Sequence, residues 1–241
     1  MNVSIIIPAY NEELYLPTLL MSLRQAKLVL LDQYPNYQVE IIVVDNASKD
    51  NTRSVAMGYA CQVAIEERRN VSSARNRGAQ EANGEILIFI DADYRVGMNF
   101  LREIVNTFEN NNDIVALGVK VNVEPGDLDP IQRSFANFAL FLLRLIKKVS
   151  FGVFVFRKGY FHHLGGFNEE FFAYEDVELH DNIKNDLRRK VSKYVVITDT
   201  RVYSSGRGFH RGGMISTYLK MLLSRESRKD PDKCAYWYER N

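Results

Sequence analysis

The stretch "EILIFIDADYRV" (residues 85–96) decides the fold. An apolar run of strand type, Ile86 to Ile90, ends abruptly in two carboxylates, Asp91 and Asp93, with one alanine between them. A strand running out of a core does not need two acids at its tip. What they face is the question the rest of the chain has to answer.

Outward from this stretch, the first half alternates. "VSIIIP" (3–8) and "VEIIVVD" (39–45) read as buried strands, and "CQVAIEE" (61–67) as a short third one. "EELYLPTLLMSLRQAKLVLL" (12–31) reads as a helix with an apolar stripe at Leu16, Leu19, Leu20 and Leu23, Pro17 being confined to its first turn. "SKDNTRSVAMGYA" (48–60) starts a helix that Asp50 or Asn51 can cap. "SSARNRGAQEAN" (72–83) is a further helix, with Gly84 as its stop signal. Val- and Ile-rich strands alternating with helices predict βαβ units and a parallel sheet covered on both faces.

The second half is less regular. Helices are expected at 98–110, 131–148, 174–189 and 214–225, and strands at 113–123, 151–158 and 193–200. There is no internal repeat and no low-complexity linker. One α/β domain is the simplest reading: a nucleotide-binding-like half over 1–97, a mixed half over 98–213, and a C-terminal helix and tail over 214–241.

Composition narrows the function. A chain of 241 residues buries one sizeable core. Lys plus Arg is 31 against 30 for Asp plus Glu, which argues against a dedicated nucleic-acid binder. Cys61 and Cys234 form no CxxC pair, so neither a disulfide framework nor a zinc pattern is expected, and a reducing, cytoplasmic setting is the default. The first apolar run is too short for a signal sequence, and no run is long enough to span a bilayer.

Ligands of open α/β sheets bind outside the carboxyl ends of the parallel strands. Three such ends are polar or acidic here: "IIIPAYNEE", "IIVVDNASKD" and "ILIFIDAD". Asp45, Asp91 and Asp93 would share one edge. On an extended chain Asp91 and Asp93 point the same way and can share a target. A hard divalent cation with a phosphate-bearing ligand would neutralise them. Each acid alone is equally an ordinary turn or cap residue. No GxGxxG and no GxxxxGK[ST] follows the first strand, which speaks against a dinucleotide fold and a P-loop.

The motifs "VSIIIPAYNEE", "IIVVDNASKDNT", "NVSSARNRGAQEANGEILIFIDAD", "LGGFNEEFF" and "YEDVELHDNI", in that order, resemble the family-2 glycosyltransferases. The resemblance runs to about Gly213. It implies the GT-A fold, a Rossmann-like mixed sheet, mostly parallel and flanked by helices. It also implies a nucleoside-diphosphate sugar donor, UDP by family habit, a Mn²⁺ or Mg²⁺ ion, and a glycan or lipid-linked hydroxyl acceptor. By the same match Asp93 would bind the metal, with Asp91 near the ribose or the metal shell. Pro8, Ala9, Tyr10 and Glu12 would border the nucleotide, Asp45 would take the base, and Arg75 and Asn76 would flank base or phosphate. Ala92 falls within the same donor motif.

In "FFAYEDVELHD" the resemblance makes Asp176 the catalytic base, with Glu175 on the donor or acceptor sugar side. Read from the residues alone, the pair are equally first-turn acids complementing a helix dipole. "LGGFNEE" would shape the acceptor site through Gly165, Gly166 and Phe167, although Asn168 stands where Asp is commoner. In "SSGRGFHRGG" (204–213) Arg207 is expected on the diphosphate and His210 at the metal, in the manner of a mobile lid. The alternative is a basic surface loop. The apolar stripe of 131–148, with the terminal "AYWYER" (235–240), suggests weak attachment to the inner face of a membrane. Burial of that helix against the domain is the competing reading. A nucleotidyltransferase, or a silent nucleotide-sugar-binding module, remains the alternative function.

Overall fold

A computed structural model describes residues 1–124, 130, 133–134, 137, 152–188, 191–205, 228–232 and 234. The expected helix at 214–225, Arg207, His210 and the terminal aromatics lie outside these residues. Of the stretch 131–148, only Arg133, Ser134 and Asn137 lie within them.

The order of elements is β1 (Val3–Ala9), α1 (Leu16–Gln33), β2 (Val39–Asp45), α2 (Thr52–Gly58), β3 (Gln62–Ile65), α3 (Val71–Glu81), β4 (Ile86–Ile90), β5 (Tyr94–Val96), α4 (Phe100–Glu109), β6 (Ile114–Val123), β7 (Val153–Arg157), α5 (Lys158–His163), α6 (Glu175–Leu187) and β8 (Lys193–Ser204). The strands form one sheet in the order β3-β2-β1-β4-β7-β6-β8-β5. The first-half pairings, β1–β2, β1–β4 and β2–β3, are parallel, as is β6–β8. β7 runs antiparallel between β4 and β6, and β5 runs antiparallel to β8. The α/β sheet expected from the sequence is therefore present, and it is mixed.

Strand period explains the two core layers. In β4, Ile86, Ile88 and Ile90 pack with Ile5, Ile7, Leu19, Leu23 and Ile104 on one face. Leu87 and Phe89 pack with Ile6, Val44, Ala74, Phe161 and Phe167 on the other. A central strand buried on both faces has no polar alternation, which is how β4 reads in sequence. Pro17 sits at the start of α1, where a missing N–H costs nothing.

One helix boundary is corrected, one cap is located and two short elements are added. The helix after Asn70 ends at Glu81, two residues before the expected end at Asn83, so Gly84 is not its stop. Gly84 instead lies against β1, where an added Cβ would come within 2.6 Å of the Ser4 backbone nitrogen. At α2, Asn51 occupies the cap position without a side-chain bond, while Asp50 accepts from the Thr52 N–H at 3.0 Å. The short elements β5 and α5 have too few residues to show a period, and the sequence did not reveal them.

Among the described residues, no helix is long and apolar enough to cross a membrane.

Gly78 shows how closely α3 is pressed to the sheet. A Cβ there would lie 2.4 Å from Ile6 Cγ2 and 3.0 Å from Val44 Cγ2. Alanine favours a helix over glycine by about 1 kcal/mol, but overpacking a core costs about 1–3 kcal/mol. Gly78→Ala should therefore be net destabilising. Urea unfolding checks it; a stabilised variant would show that α3 can lift from the sheet without loss.

Candidate active site

The carboxyl ends of β1, β2 and β4 lie side by side, because Ala9 pairs with Asp45 and Ile6 with Phe89 in parallel register. The loops beyond are zipped together. The Asn11 N–H donates to Ser48 Oγ at 3.1 Å, the Lys49 N–H to Asn11 Oδ1 at 2.9 Å, and the Glu12 N–H to Thr52 Oγ1 at 2.7 Å. Asn11 and Ala47 take left-handed backbone conformations, with φ of 53° and 60°. Pro8 and Ala9 are buried at the end of β1, and Glu12 is buried just beyond it. Tyr10 carries the Arg69 guanidinium 4.4 Å from its ring centre. Asp45 accepts from the Ser48 N–H at 3.1 Å, so one of its oxygens serves a turn.

Past Ile90 the backbone turns. Asp91 and Asp93 are not i and i+2 of an extended strand, and they face different partners. Asp91 Oδ1 accepts from Arg75 Nη2 at 2.8 Å, and the Asp91 N–H donates to the Gly152 carbonyl at 3.2 Å. Asp93 Oδ2 accepts from Ser205 Oγ at 2.5 Å, and the Asp93 carbonyl accepts from the Ser205 N–H at 3.0 Å. Ala92 between them is buried. Gly152 has φ of 69°, and a Cβ there would strike the Tyr94 hydroxyl at 2.0 Å and come within 3.0 Å of Asp91 Oδ2. Only glycine fits at that point.

Arg75 is the centre of the site. Its side chain is 3% exposed, with Nη2 on Asp91 and Nη1 on Glu175 Oε1 at 2.5 Å. The ring of Phe167 lies 5.1 Å from the guanidinium carbon. Burial alone would disfavour the charge; Asp91 and Glu175 outweigh it and hold the guanidinium more firmly protonated than usual. Arg75 thus bridges these two acids.

Glu175 and Asp176 open α6 behind Tyr174, a left-handed residue with φ of 58°. Asp176 Oδ1 accepts from the Val177 N–H at 2.8 Å. Its pKa is pushed up to about 7, first by burial and then by the neighbouring Glu175 carboxylate, while Arg75 and the Val177 bond pull the other way. A carboxyl group poised near neutrality can both hold and release a proton.

The "LGGFNEE" loop is fastened to α3. Asn76 Nδ2 donates to the Phe167 carbonyl and to Glu169 Oε1, each at 2.8 Å, and its Oδ1 accepts from the Phe167 N–H at 2.9 Å. Asn76, expected beside base or phosphate, is thus a clamp on this loop. Phe167, expected to border an acceptor, is 2% exposed and packs on Phe89, because an aromatic ring gains more in the core than at an edge. Gly165 and Gly166 adopt φ of 82° and 78°, and a Cβ on Gly166 would lie 2.8 Å from Asn76 Oδ1. Asn168 makes a local turn, accepting from the Glu170 N–H at 3.0 Å.

Sequence reading missed Asn46, Asn70, Gly152, Glu169 and Ser205. Asn70 caps α3 through Ser73 and donates to the Phe171 carbonyl at 2.9 Å, while its own N–H reaches Asn46 Oδ1 at 3.1 Å. The cap signal, Asn three residues before Ser73, was legible. The long-range bonds of Asn70 were not. Among the described residues, no cluster of three or more His, Cys, Asp or Glu side chains is arranged as a ready metal cage.

The family model for "Glycosyl transferase family 2" matches residues 4–165, more than half of the chain. The chain belongs to glycosyl transferase family 2. A curated relative, the dolichyl-phosphate beta-glucosyltransferase of Drosophila melanogaster, is 38% identical over 105 residues, covering 39% of this chain and 31% of that protein. Against the curated relatives it first matches, the aligned part of the chain spans only about a third of their length. Among solved structures, S. aureus TarS 1–349 in complex with UDP-GlcNAc aligns with a TM-score of 0.64 at 20% identity, covering 85% of this chain and 58% of that one. The mannosyltransferase PcManGT from Pyrobaculum calidifontis, in complex with GDP-Man and Mn²⁺, aligns with a TM-score of 0.65 at 20% identity, covering 92% and 64%. The family's GT-A fold is thereby shared.

The raised pKa of Asp176 has a thermodynamic consequence. The folded chain binds this proton more tightly than the unfolded chain, whose carboxyl titrates near its ordinary value of 3.8. Between about pH 4 and pH 7 folding therefore takes up a proton, and the Asp176 contribution to stability falls as pH rises. Asp176→Asn should abolish that part of the slope. Denaturant midpoints of both proteins across this window test it; parallel curves would mean that Asp176 is an ordinary surface acid.

Proposed function

We propose that the chain is an inverting glycosyltransferase that moves a sugar from a nucleoside-diphosphate sugar to a hydroxyl acceptor, in glycan, cell-envelope or lipid-linked saccharide synthesis. The observation that carries this reading is that one guanidinium, Arg75, holds the strand-tip acid Asp91 and also Glu175, the direct neighbour of the proton-holding Asp176. Membership of the family supports it.

On this reading the nucleotide lies along the ends of β1, β2 and β4, with Asp45 and Tyr10 near the base. Neighbouring structures hold UDP-GlcNAc in one case and GDP-Man in another, which supports a nucleotide-sugar donor of either base. Asp91 and Asp93 offer hard carboxylate oxygens, the donor type that Mn²⁺ and Mg²⁺ take together with phosphate oxygens. With Asp91 turned to Arg75 and Asp93 to Ser205, Asp93 would hold such an ion and Asp91 would lie in its outer shell. When bound, it would neutralise the diphosphate as the bond to the sugar breaks. Mn²⁺ in the PcManGT complex supports this choice of cofactor. Arg207 and His210 are assigned to the diphosphate and the ion by the family resemblance alone.

Asp176 is the general base. It takes the proton of the acceptor hydroxyl as that oxygen attacks the anomeric carbon from the face opposite the leaving nucleoside diphosphate. Glu175, fixed on Arg75, borders the reacting sugars. The turn at Gly165 and Gly166 borders the acceptor, with open space on the Gly165 side, and a lipid-linked acceptor would bring the chain to a membrane surface. A nucleotidyltransferase has no need of a base near neutrality on α6, and a silent binding module has no need to keep Asp91, Asp93 and Asp176 together.

A turnover and thermal-shift screen of UDP- and GDP-sugars with Mn²⁺ and Mg²⁺ tests the function; no response to any donor would count against it. Asp93→Ala should stay folded, because the residue stands at a partly exposed turn, and should lose most Mn²⁺-dependent nucleotide binding by calorimetry. Unchanged affinity would remove Asp93 from the metal. Once a donor is known, Asp176→Asn should keep donor binding and lose roughly 10²-fold or more in turnover. Near wild-type transfer would move the base elsewhere, with Glu175 the next residue to test.

A further inference from the structure

Arg75 touches an acid from each side of the site. Asp91 belongs to the tip of β4, on the donor side. Glu175 is the first residue of α6 and the direct neighbour of Asp176. Each occupies a different Nη group, at 2.8 and 2.5 Å. The guanidinium has little room to drift. It rests near Phe167 and Phe154, at 5.1 and 5.9 Å from their ring centres, and its helix neighbour Asn76 is clamped to the Phe167 backbone.

We propose that Arg75 is a positioning residue that serves as a shared counter-ion, coupling ligand binding at Asp91 to the hold on Glu175. The inference rests on the donor reading of Asp91 given above. The two acids share one charge on a planar fork, so a ligand that draws on Asp91 leaves more of the guanidinium's field to Glu175. When a nucleotide with its divalent ion engages Asp91, that carboxylate releases part of its hold on Arg75. The guanidinium then leans on Glu175 and fixes the start of α6, where Asp176 must meet the acceptor. Donor binding thereby prepares the acceptor side. Coupling of this kind is reciprocal, so a change at Glu175 must be felt at the nucleotide.

The reciprocal arm gives the test. UDP and GDP are titrated calorimetrically, with Mn²⁺, into the full chain and into Glu175→Gln, Arg75→Lys and the double variant. Removing the Glu175 charge leaves Asp91 as the one charged hydrogen-bond partner of Arg75, and Asp91 becomes less available to the incoming ligand. Glu175→Gln should weaken Mn²⁺-dependent nucleotide binding by roughly five-fold or more, the lower range for coupled sites. Long-range electrostatics acting alone predicts the opposite sign, because deleting a carboxylate favours an anionic diphosphate. A purely structural role would lower the melting temperature and leave affinity alone. In the Arg75→Lys background the effect of Glu175→Gln should shrink, since an ammonium cannot serve two acids in a fixed fork.

Equal or tighter nucleotide binding by a folded Glu175→Gln overturns the coupling, as does an undiminished effect in the Arg75→Lys background. If Arg75→Lys does not fold, the sign of the Glu175→Gln effect decides. A full chain that binds neither nucleotide with Mn²⁺ overturns the donor reading itself, and that outcome is distinct from a full chain that binds while Glu175→Gln binds equally well.

Discussion

An arginine with 3% of its side chain exposed constrains everything around it. Desolvating a charge costs on the order of several kcal/mol, and only close, well-aligned counter-charges offset that cost. Arg75 therefore fixes where Asp91 and Glu175 must be, and through them the tip of β4 and the start of α6. Buried ion pairs are weak devices for stability, since apolar side chains of similar volume often do as well. An apolar replacement would fill the space under β4 and leave nothing at the sheet edge to organise acids. The arrangement makes sense as the floor of a site.

The topology supplies the partners. β7 runs antiparallel beside β4, which brings Gly152 against Asp91 and carries the chain through α5 to the glycine loop. That loop is then bound back to α3 by Asn70, Asn76 and Ser73, with Glu169 accepting from Ser73 Oγ at 3.0 Å and from Arg68. One helix thus faces both halves of the chain. Its first turn holds the "FNEEF" segment, and its second carries Arg75 into the centre. Gly78, one turn further on, lets the same helix sit low enough on β1 for these reaches to be made.

Much of this was legible in the sequence. The parallel first half followed from the Val- and Ile-rich runs, and Pro17 behaved as a first-turn proline should. The acids at the strand ends were visible because a strand tip has no packing reason to carry them. What the sequence hid was direction and reach. Asp91 and Asp93 were expected to share a target along an extended chain, but the backbone turns after Ile90, and the two carboxylates part toward Arg75 and Ser205. Arg75 and Asn76 read as a helix face or as nucleotide contacts. Which way a helix side chain points depends on what it packs against, and Glu175 lies 100 residues from Arg75, and Phe167 lies 91 from Asn76. The burial of Phe167 was hidden for the same reason, because the rings it packs on, Phe89 and Phe154, are distant in the chain.

The position of Asp176 follows from the balance these contacts leave. Three carboxylates, Asp91, Glu175 and Asp176, lie within electrostatic reach of Arg75. Two of them take its N–H groups directly. Asp176, one residue past Glu175, receives the field of Arg75 without a hydrogen bond from it, together with the repulsion of its neighbour. Were Asp176 the acid on Arg75, its proton affinity would be driven down and it would be a poor base. Were Arg75 absent, burial and Glu175 would hold the proton on Asp176 past neutrality. Glu175 in direct contact, with Asp176 beside it, is the arrangement that leaves a carboxyl near pH 7. Tyr174, immediately before the two acids, is left-handed, a conformation that a residue with a Cβ adopts only when its surroundings compel it.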